Sequence, residues 1–233
     1  MGLSLKYDSF YKSALNKETF SDITLRGWPR SRVEAILFAA NSGKTVLDVG
    51  CGNGHLLYQL RHGYKKLVGL EFSPHRLDQA KVNLSDLPFV PVLSSAEDMN
   101  AIDSDSIDCV VSADTIEHVP DVYAATAEMY RVLRPGGKLV INTPNIAFVK
   151  KRLLLLLGSF PSTSQPNEGH GSDILFDGGH LHYFTFRSLS LLLRRAGFNI
   201  ESSIGFGRLG RIHNIRPSLL SGGVQLVARK PVL

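Results

Sequence analysis

At 233 residues the chain fits one domain with room for a small insertion, and it is long enough to bury a sizeable core. Its 43% hydrophobic and 20% charged residues exclude a disordered or fibrous chain, and only two cysteines, Cys51 and Cys109, exclude a disulfide framework. The net charge of +5 is modest, and no apolar run approaches the roughly 20 residues needed to span a bilayer.

The opening MGLSLKYDSFYK has no apolar signal core, and Lys6 stands where a myristoylation signal wants serine or threonine. A cytoplasmic protein is therefore expected. Residues 1–29 hold Tyr7, Phe10, Tyr11, Phe20 and Trp28 without a clean period, and read as a partly helical cap over one edge of the core. Ser31 to Ala40 reads as an amphipathic helix with Val33, Ile36, Leu37 and Ala40 on one face, ended by Asn41-Ser42-Gly43. Val46, Leu47 and Val49 then have the composition of a strand covered on both faces. Gly50, Gly52 and Gly54 let the backbone turn sharply and approach a ligand closely. His55, Leu56, Leu57 and Leu60 continue at helical spacing, so the turn ends at a helix N-terminus whose N–H groups face a crevice. Asp48 points into the same crevice.

Lys66 to Leu70 forms a second strand ending in Glu71, and Ser73-Pro74 starts a helix with Leu77, Ala80, Val82 and Leu84 toward the core. An acid about 20 residues after a glycine turn can hydrogen-bond a ribose diol. Phe89 to Leu93 is a third strand and Ser106 to Ser112 a fourth. Asp121 caps a helix through Ala125, Met129 and Leu133, and Arg134-Pro135-Gly136-Gly137 reads as a turn before a fifth strand, Lys138 to Thr143. Ile146 to Leu157 looks helical. Gly158 to Gly179, rich in Gly, Ser, Pro and Asn, reads as a mobile lid. A helix over Phe186 to Ala196, ended by Gly197, a sixth strand over Phe198 to Ser203 and a last strand over Val224 to Arg229 complete the chain.

Four stretches carry a resemblance. They are VLDVGCGNG at 46–54, the ADTIEHVPD passage at 113–121, LRPGGKLVI at 133–141, and HLHYFT at 180–185 with its following L-x-x-L-L-x-x-A-G-F run. The chain resembles the class I S-adenosylmethionine-dependent methyltransferases, including small-molecule types such as those of quinone biosynthesis, over about Arg30 to Lys230. The resemblance implies a Rossmann-like open, mostly parallel α/β sheet of about seven strands, with helices on both faces and an antiparallel last hairpin. Residues 1–29 become a cap on a methyltransferase domain of residues 30–233, which carries a lid insertion at about 146–182. The implied cofactor is S-adenosyl-L-methionine, held by Asp48, Gly50, Cys51, Gly52, Gly54, Glu71, Phe72, Ser95, Ala96, Glu97, Ser112 and Ala113. Ser95 stands where the family commonly has an aspartate for the adenine amino group, which moves that contact to the Ser95 hydroxyl, Glu97 or Asp98.

The charge pattern agrees without any resemblance. Asp48, Glu71, Glu97, Asp98, Asp114 and Glu117 gather at the strand carboxyl ends, a field that suits a sulfonium and an ammonium group better than a pyrophosphate. Methyl transfer mainly needs alignment, and a base where the acceptor is a poorly ionised hydroxyl. His182 and His118 are the base candidates, each weighed against a capping or core role, with His182 ranked first because Tyr183 and Phe184 can wall an acceptor pocket. His170, Asp173, Asp177, His180 and His182 lack a compact ligand spacing, so no metal ligand is assigned. The expected partner is a small-molecule methyl acceptor, methylated on oxygen or nitrogen, without stable membrane insertion. The basic run from Arg187 through Arg194, Arg195, Arg208, Arg211, Arg216, Arg229 and Lys230 leaves an RNA- or protein-directed methyltransferase as an alternative, as is a non-catalytic binding protein. Nucleic acid is not the expected partner, because only Phe198 and Phe206 interleave that run. The oligomeric state is left open.

Overall fold

The computed structural model describes residues 15–40, 42–164 and 179–232. The strands are β1 (Gly43–Val49), β2 (Tyr64–Glu71), β3 (Phe89–Leu93), β4 (Ile107–Ala113), β5 (Leu133–Pro144), β6 (Asn199–Ser203) and β7 (Gly223–Arg229). They form one sheet in the order β3-β2-β1-β4-β5-β7-β6. β1 to β5 pair in parallel, while β7 runs antiparallel to both β5 and β6. The strand order reverses between β1 and β4, which opens a crevice beyond their carboxyl ends.

Helices α1 (Arg32–Ala39), α2 (His55–Leu60) and α3 (Pro74–Asn83) cover one face; α4 (Val122–Val132) and α6 (Phe186–Arg195) cover the other. α5 (Val149–Leu156) follows β5, and α7 (Pro217–Leu220) lies in the β6–β7 connection. Successive strand residues alternate between the two cores. Leu67, Val140 and Val227 join the face of α1 to α3, and Val68, Ile141 and Leu226 join the other. Double coverage is why these strands read as continuous apolar runs. Pro91 is tolerated in β3 because β3 is an edge strand.

The helix starts follow their caps. Ser31 accepts from the Glu34 N–H, Ser73 from Arg76, and Asp121 from Tyr123 and Ala124. Thr185 and Ser188 form a reciprocal capping box on α6. α1 buries Ala35, Ile36 and Ala39, a face rotated slightly from the expected one, and Gly43 starts β1 rather than ending the helix.

One expectation is corrected, and the helical part of the cap is not seen in residues 15–29, which run across α2 and α3 without a helix; residues 1–14 lie outside the described residues. Arg134 to Gly137 is no free turn but an irregularity inside β5, where Ile107 pairs with Leu133 and Cys109 already with Lys138. The core of the expected lid, 165–178, lies outside the described residues, as do Tyr7, Phe10 and Tyr11 of the cap and His170, Asp173 and Asp177.

Candidate active site

The turn between β1 and α2 needs its glycines for two separate reasons. Gly50, Gly52 and Gly54 have φ of 81°, 54° and 84°, where L side chains are strained. Space is also short. A Cβ on Gly50 would run into the Thr115 side chain, while one on Gly52 would meet only the movable end of the Arg76 guanidinium.

Glu71 ends β2 and reaches across to this turn. Its Oε2 accepts from the Gly52 N–H at 2.8 Å, and its Oε1 from the Phe72 and Ser73 N–H groups, both at 2.9 Å. One buried carboxylate thus ties the glycine turn to the start of α3. Asp48 lies beneath at 2% exposure, and among the described residues its Oδ1 has no hydrogen-bond partner. Burial first, then the Glu71 charge, pushes the Asp48 carboxyl up to about 8. Burial, with Asp48 and Glu71 adding, also holds the Cys51 thiol well above its ordinary range, which makes it an inert packing group. A buried carboxyl with an unused oxygen beside a close-approach glycine turn is the arrangement a cationic ligand would complete.

Of the other expected contacts, Ser95 Oγ donates to Glu97 Oε2 at 2.8 Å, and the Asp121 N–H reaches Glu97 Oε1. Ala96 is buried beside this pair, while Phe72 is 40% exposed next to Glu71. Ser112 is fully buried in β4, with no partner for its Oγ among the described residues, and Ala113 packs partly on the face of α1 to α3. The acids are less naked than their positions suggest. Asp114, at φ 48°, forms an ion pair with Arg32, and the Arg76 guanidinium lies over Gly52. The crevice is therefore an acid bed trimmed by two arginines.

The two base candidates stand on one rim. His118 closes the 3-10 turn Ile116–His118, and its Nδ1 lies 3.0 Å from the Gly179 carbonyl. His182 Nε2 lies 3.3 Å from the Pro120 carbonyl, with the ring tilted toward Phe184 at 6.3 Å. A carbonyl only accepts, so the protonated nitrogen is Nδ1 in His118 and Nε2 in His182. Residues 181 and 182 both donate their backbone N–H to Glu117 O, at 2.7 and 3.1 Å, which locks this segment onto the turn after β4. Phe160 meets Tyr183 edge-on at 5.8 Å and adds an aromatic flank.

The structure brings Asp48, Gly50, Gly52 and Glu71 into one cradle and holds Ser95, Ala96 and Glu97 in the loop that follows β3. Sequence reasoning missed Thr115 and Arg76, which fill the space over the glycines. The signal for Thr115 was its place in the ADTIEHVPD passage. For Arg76 it was a position three residues past the Ser73 cap, in the first turn of a helix that starts at the cradle.

A family model described as a methyltransferase domain matches residues 24–203. A ubiquinone biosynthesis O-methyltransferase of Xanthomonas axonopodis pv. citri is 27% identical over 218 residues, 86% of this chain and 86% of that protein. An uncharacterised 37.1 kDa protein of a Streptomyces fradiae transposon is 35% identical over 109 residues, which span 46% of this chain and 32% of that protein. Among solved structures, an S-adenosylmethionine dependent methyltransferase of Mesorhizobium loti shares the fold with a TM-score of 0.62 at 21% identity, over 85% of this chain and 95% of that one.

Proposed function

Because the chain belongs to the class I S-adenosylmethionine-dependent methyltransferases, we propose that it methylates a small molecule on oxygen or nitrogen at the crevice between β1 and β4. The observation that carries this reading is the cradle of Glu71 and Asp48 around the glycine turn. S-adenosylmethionine, when bound, supplies a methyl carbon activated by positive sulfur.

The chain's own groups would hold that donor and exclude water from it. Gly50, Cys51, Gly52 and Gly54 allow close backbone approach, and Asp48 supplies a carboxylate for its cationic end. A carboxylate has about four lone-pair sites. Three N–H groups occupy three of those on Glu71, which leaves room for one ribose hydroxyl. Phe72 offers an exposed ring for the adenine face, and Ser95, Ala96 and Glu97 flank its edge, with Ser112 and Ala113 beneath the donor.

The acceptor would enter beside His182, Tyr183 and Phe160. The Nε2–H of His182 is directed at Pro120, which makes Nδ1 its basic nitrogen. His118 is ranked second as a base, since it closes the 3-10 turn after β4, whereas the aromatic wall of Tyr183 stands beside His182. Small-molecule O-methylation gains support from the Xanthomonas relative, which aligns over 86% of both chains. The same reading treats residues 1–29 as a cap and about 146–182 as a lid on the domain of residues 30–233. A cytoplasmic setting fits two buried free thiols and the lack, among the described residues, of a helix long and apolar enough to cross a membrane.

The test is a turnover screen of hydroxylated aromatics, acids and amines, with calorimetry for the donor. Glu71→Ala should weaken S-adenosylmethionine binding by about 1.5–3 kcal/mol, the value of hydrogen bonds to a charged group. His182→Ala should cut turnover and leave donor affinity nearly intact. The reverse pattern would move His182 to the cofactor, and a chain that binds no S-adenosylmethionine would end the reading.

A further inference from the structure

The rim of the crevice carries a second constellation. Glu117 and His118 come from the turn after β4, and His180 arrives from more than sixty residues later. One ligand atom from each of the three lies within 4.8 Å of the other two. The histidine rings meet edge-on with centroids 4.6 Å apart. Glu117 is 1% exposed and His180 8%. Burying a carboxylate beside two imidazoles is costly unless charges are paired or coordinate a metal.

Each side chain is also oriented from behind. His118 Nδ1 lies 3.0 Å from the Gly179 carbonyl, which puts that ring's lone pair on Nε2. His180 Nδ1 lies 2.7 Å from Thr163 Oγ1, and Glu117 Oε2 accepts from Thr143 Oγ1 at 2.9 Å. Metal-bound histidines regularly give their second nitrogen to such an outer partner. Ligands of a tetrahedral zinc ion stand roughly 3.3 Å apart, so small side-chain rotations would close the gap.

We propose that Glu117, His118 and His180 bind one divalent transition-metal ion of the zinc class. Two imidazoles and one carboxylate select such ions over magnesium and calcium, which want oxygen donors throughout. Three protein ligands leave coordination positions for water or an oxygen of a bound molecule. The ion would also clasp residues 179–182 to the turn after β4, beyond the two backbone bonds to Glu117. This site shares His118 with the methyl-transfer reading but does not depend on it, and it is tested without methyl donor or acceptor.

The experiment uses tag-free full-length protein stripped with a chelator and titrated calorimetrically with Zn2+, Co2+ and Mg2+. Zinc should bind one per chain, roughly 100-fold tighter than magnesium, and cobalt should give the visible absorption of nitrogen and oxygen coordination. His180→Ala and His118→Ala should each weaken zinc binding by roughly 100-fold, and Thr163→Val by roughly 10-fold. His182→Ala should leave zinc affinity unchanged. Far-UV dichroism of the stripped proteins guards against misfolding, and His180→Asn replaces the alanine variant if that variant unfolds. Absence of saturable one-to-one zinc binding would overturn the proposal. So would a preference for magnesium, or a His118 or His180 variant that binds zinc within about threefold of the parent.

Discussion

Asp48 is acted on by burial and by Glu71, and both push the same way, from an ordinary 3.8 up to about 8. Between those values the folded protein keeps a proton that the unfolded chain releases. The stability of the ligand-free protein should therefore fall as pH rises through that window. Asp48→Asn removes the titration, so its melting temperature should gain on the parent steadily from pH 4 to 8 and then level off. A cationic donor reverses the balance by favouring the carboxylate. Binding of S-adenosylmethionine at pH 7 should release close to one proton, and affinity should rise by up to roughly tenfold per pH unit toward pH 8. Calorimetry in two buffers of different ionisation heat reads the proton directly; a heat that does not change with buffer would take Asp48 out of the binding reaction. The positions of Asp48 and Glu71 were legible from their places at strand ends. The charge state of Asp48 was not, because it depends on how completely the surrounding sheet and helices exclude water.

At the level of elements, the amino ends of β1, β4 and β5 are stitched by one carboxylate. Asp108 accepts from the Lys44 and Thr45 N–H groups at 3.0 and 2.8 Å and from Arg134 Nε at 2.7 Å. Burial raises its carboxyl, but Thr45, Arg134 and Lys44 outweigh burial and hold it below the ordinary range. Its stabilisation is full above an ordinary carboxylate pKa and lost as pH falls through the lowered one. Asp108→Ala should cost about 1–3 kcal/mol in chemical denaturation, and the loss should shrink below about pH 4. Donor affinity should hold, since the carboxyl ends of the strands are at the other edge. The sequence signalled the inner strands of this sheet because apolar runs covered on both faces leave little ambiguity; the edge strands β3 and β6 are largely exposed and were read from their flanking turns. It misled at Arg134 to Gly137, where Pro and Gly read as a free turn. The Gly136 N–H bonds to Lys230 O at 2.9 Å and the Lys230 N–H to Gly137 O at 3.0 Å, so a chain end ninety residues away draws these residues into the sheet. Local turn chemistry cannot report such a pairing. The same holds for His180, whose neighbours Glu117 and His118 are distant in sequence.

Across the whole molecule, the cofactor cradle is connected to the extended segment of residues 15–29. Glu18 is the link. Its backbone N–H donates to Asn83 Oδ1 at 2.8 Å, and its Oε2 accepts from Asn53 Nδ2, inside the glycine turn, at 3.0 Å. Further along, Gln59 bridges Ser21 O and the Ile23 N–H, both at 2.9 Å, and Phe20 packs edge-on against His55 and Tyr58 of α2. Leu15 and Leu25 remain exposed, so around residues 18–23 the attachment rests on hydrogen bonds worth about 0.5–1.5 kcal/mol each, the Phe20 ring contacts and the Asp22–Arg61 ion pair. Such a segment opens locally at low cost, and opening frees Asn53 to move. A donor that fixes the glycine turn must then also fix the segment. Hydrogen exchange at residues 18–23 should slow when S-adenosylmethionine binds, although the donor need not touch them. Glu18→Ala should abolish that slowing and weaken donor binding by about 1 kcal/mol, with methyl transfer at saturating donor little changed. Exchange that is the same with and without donor would show that the segment and the cradle open independently.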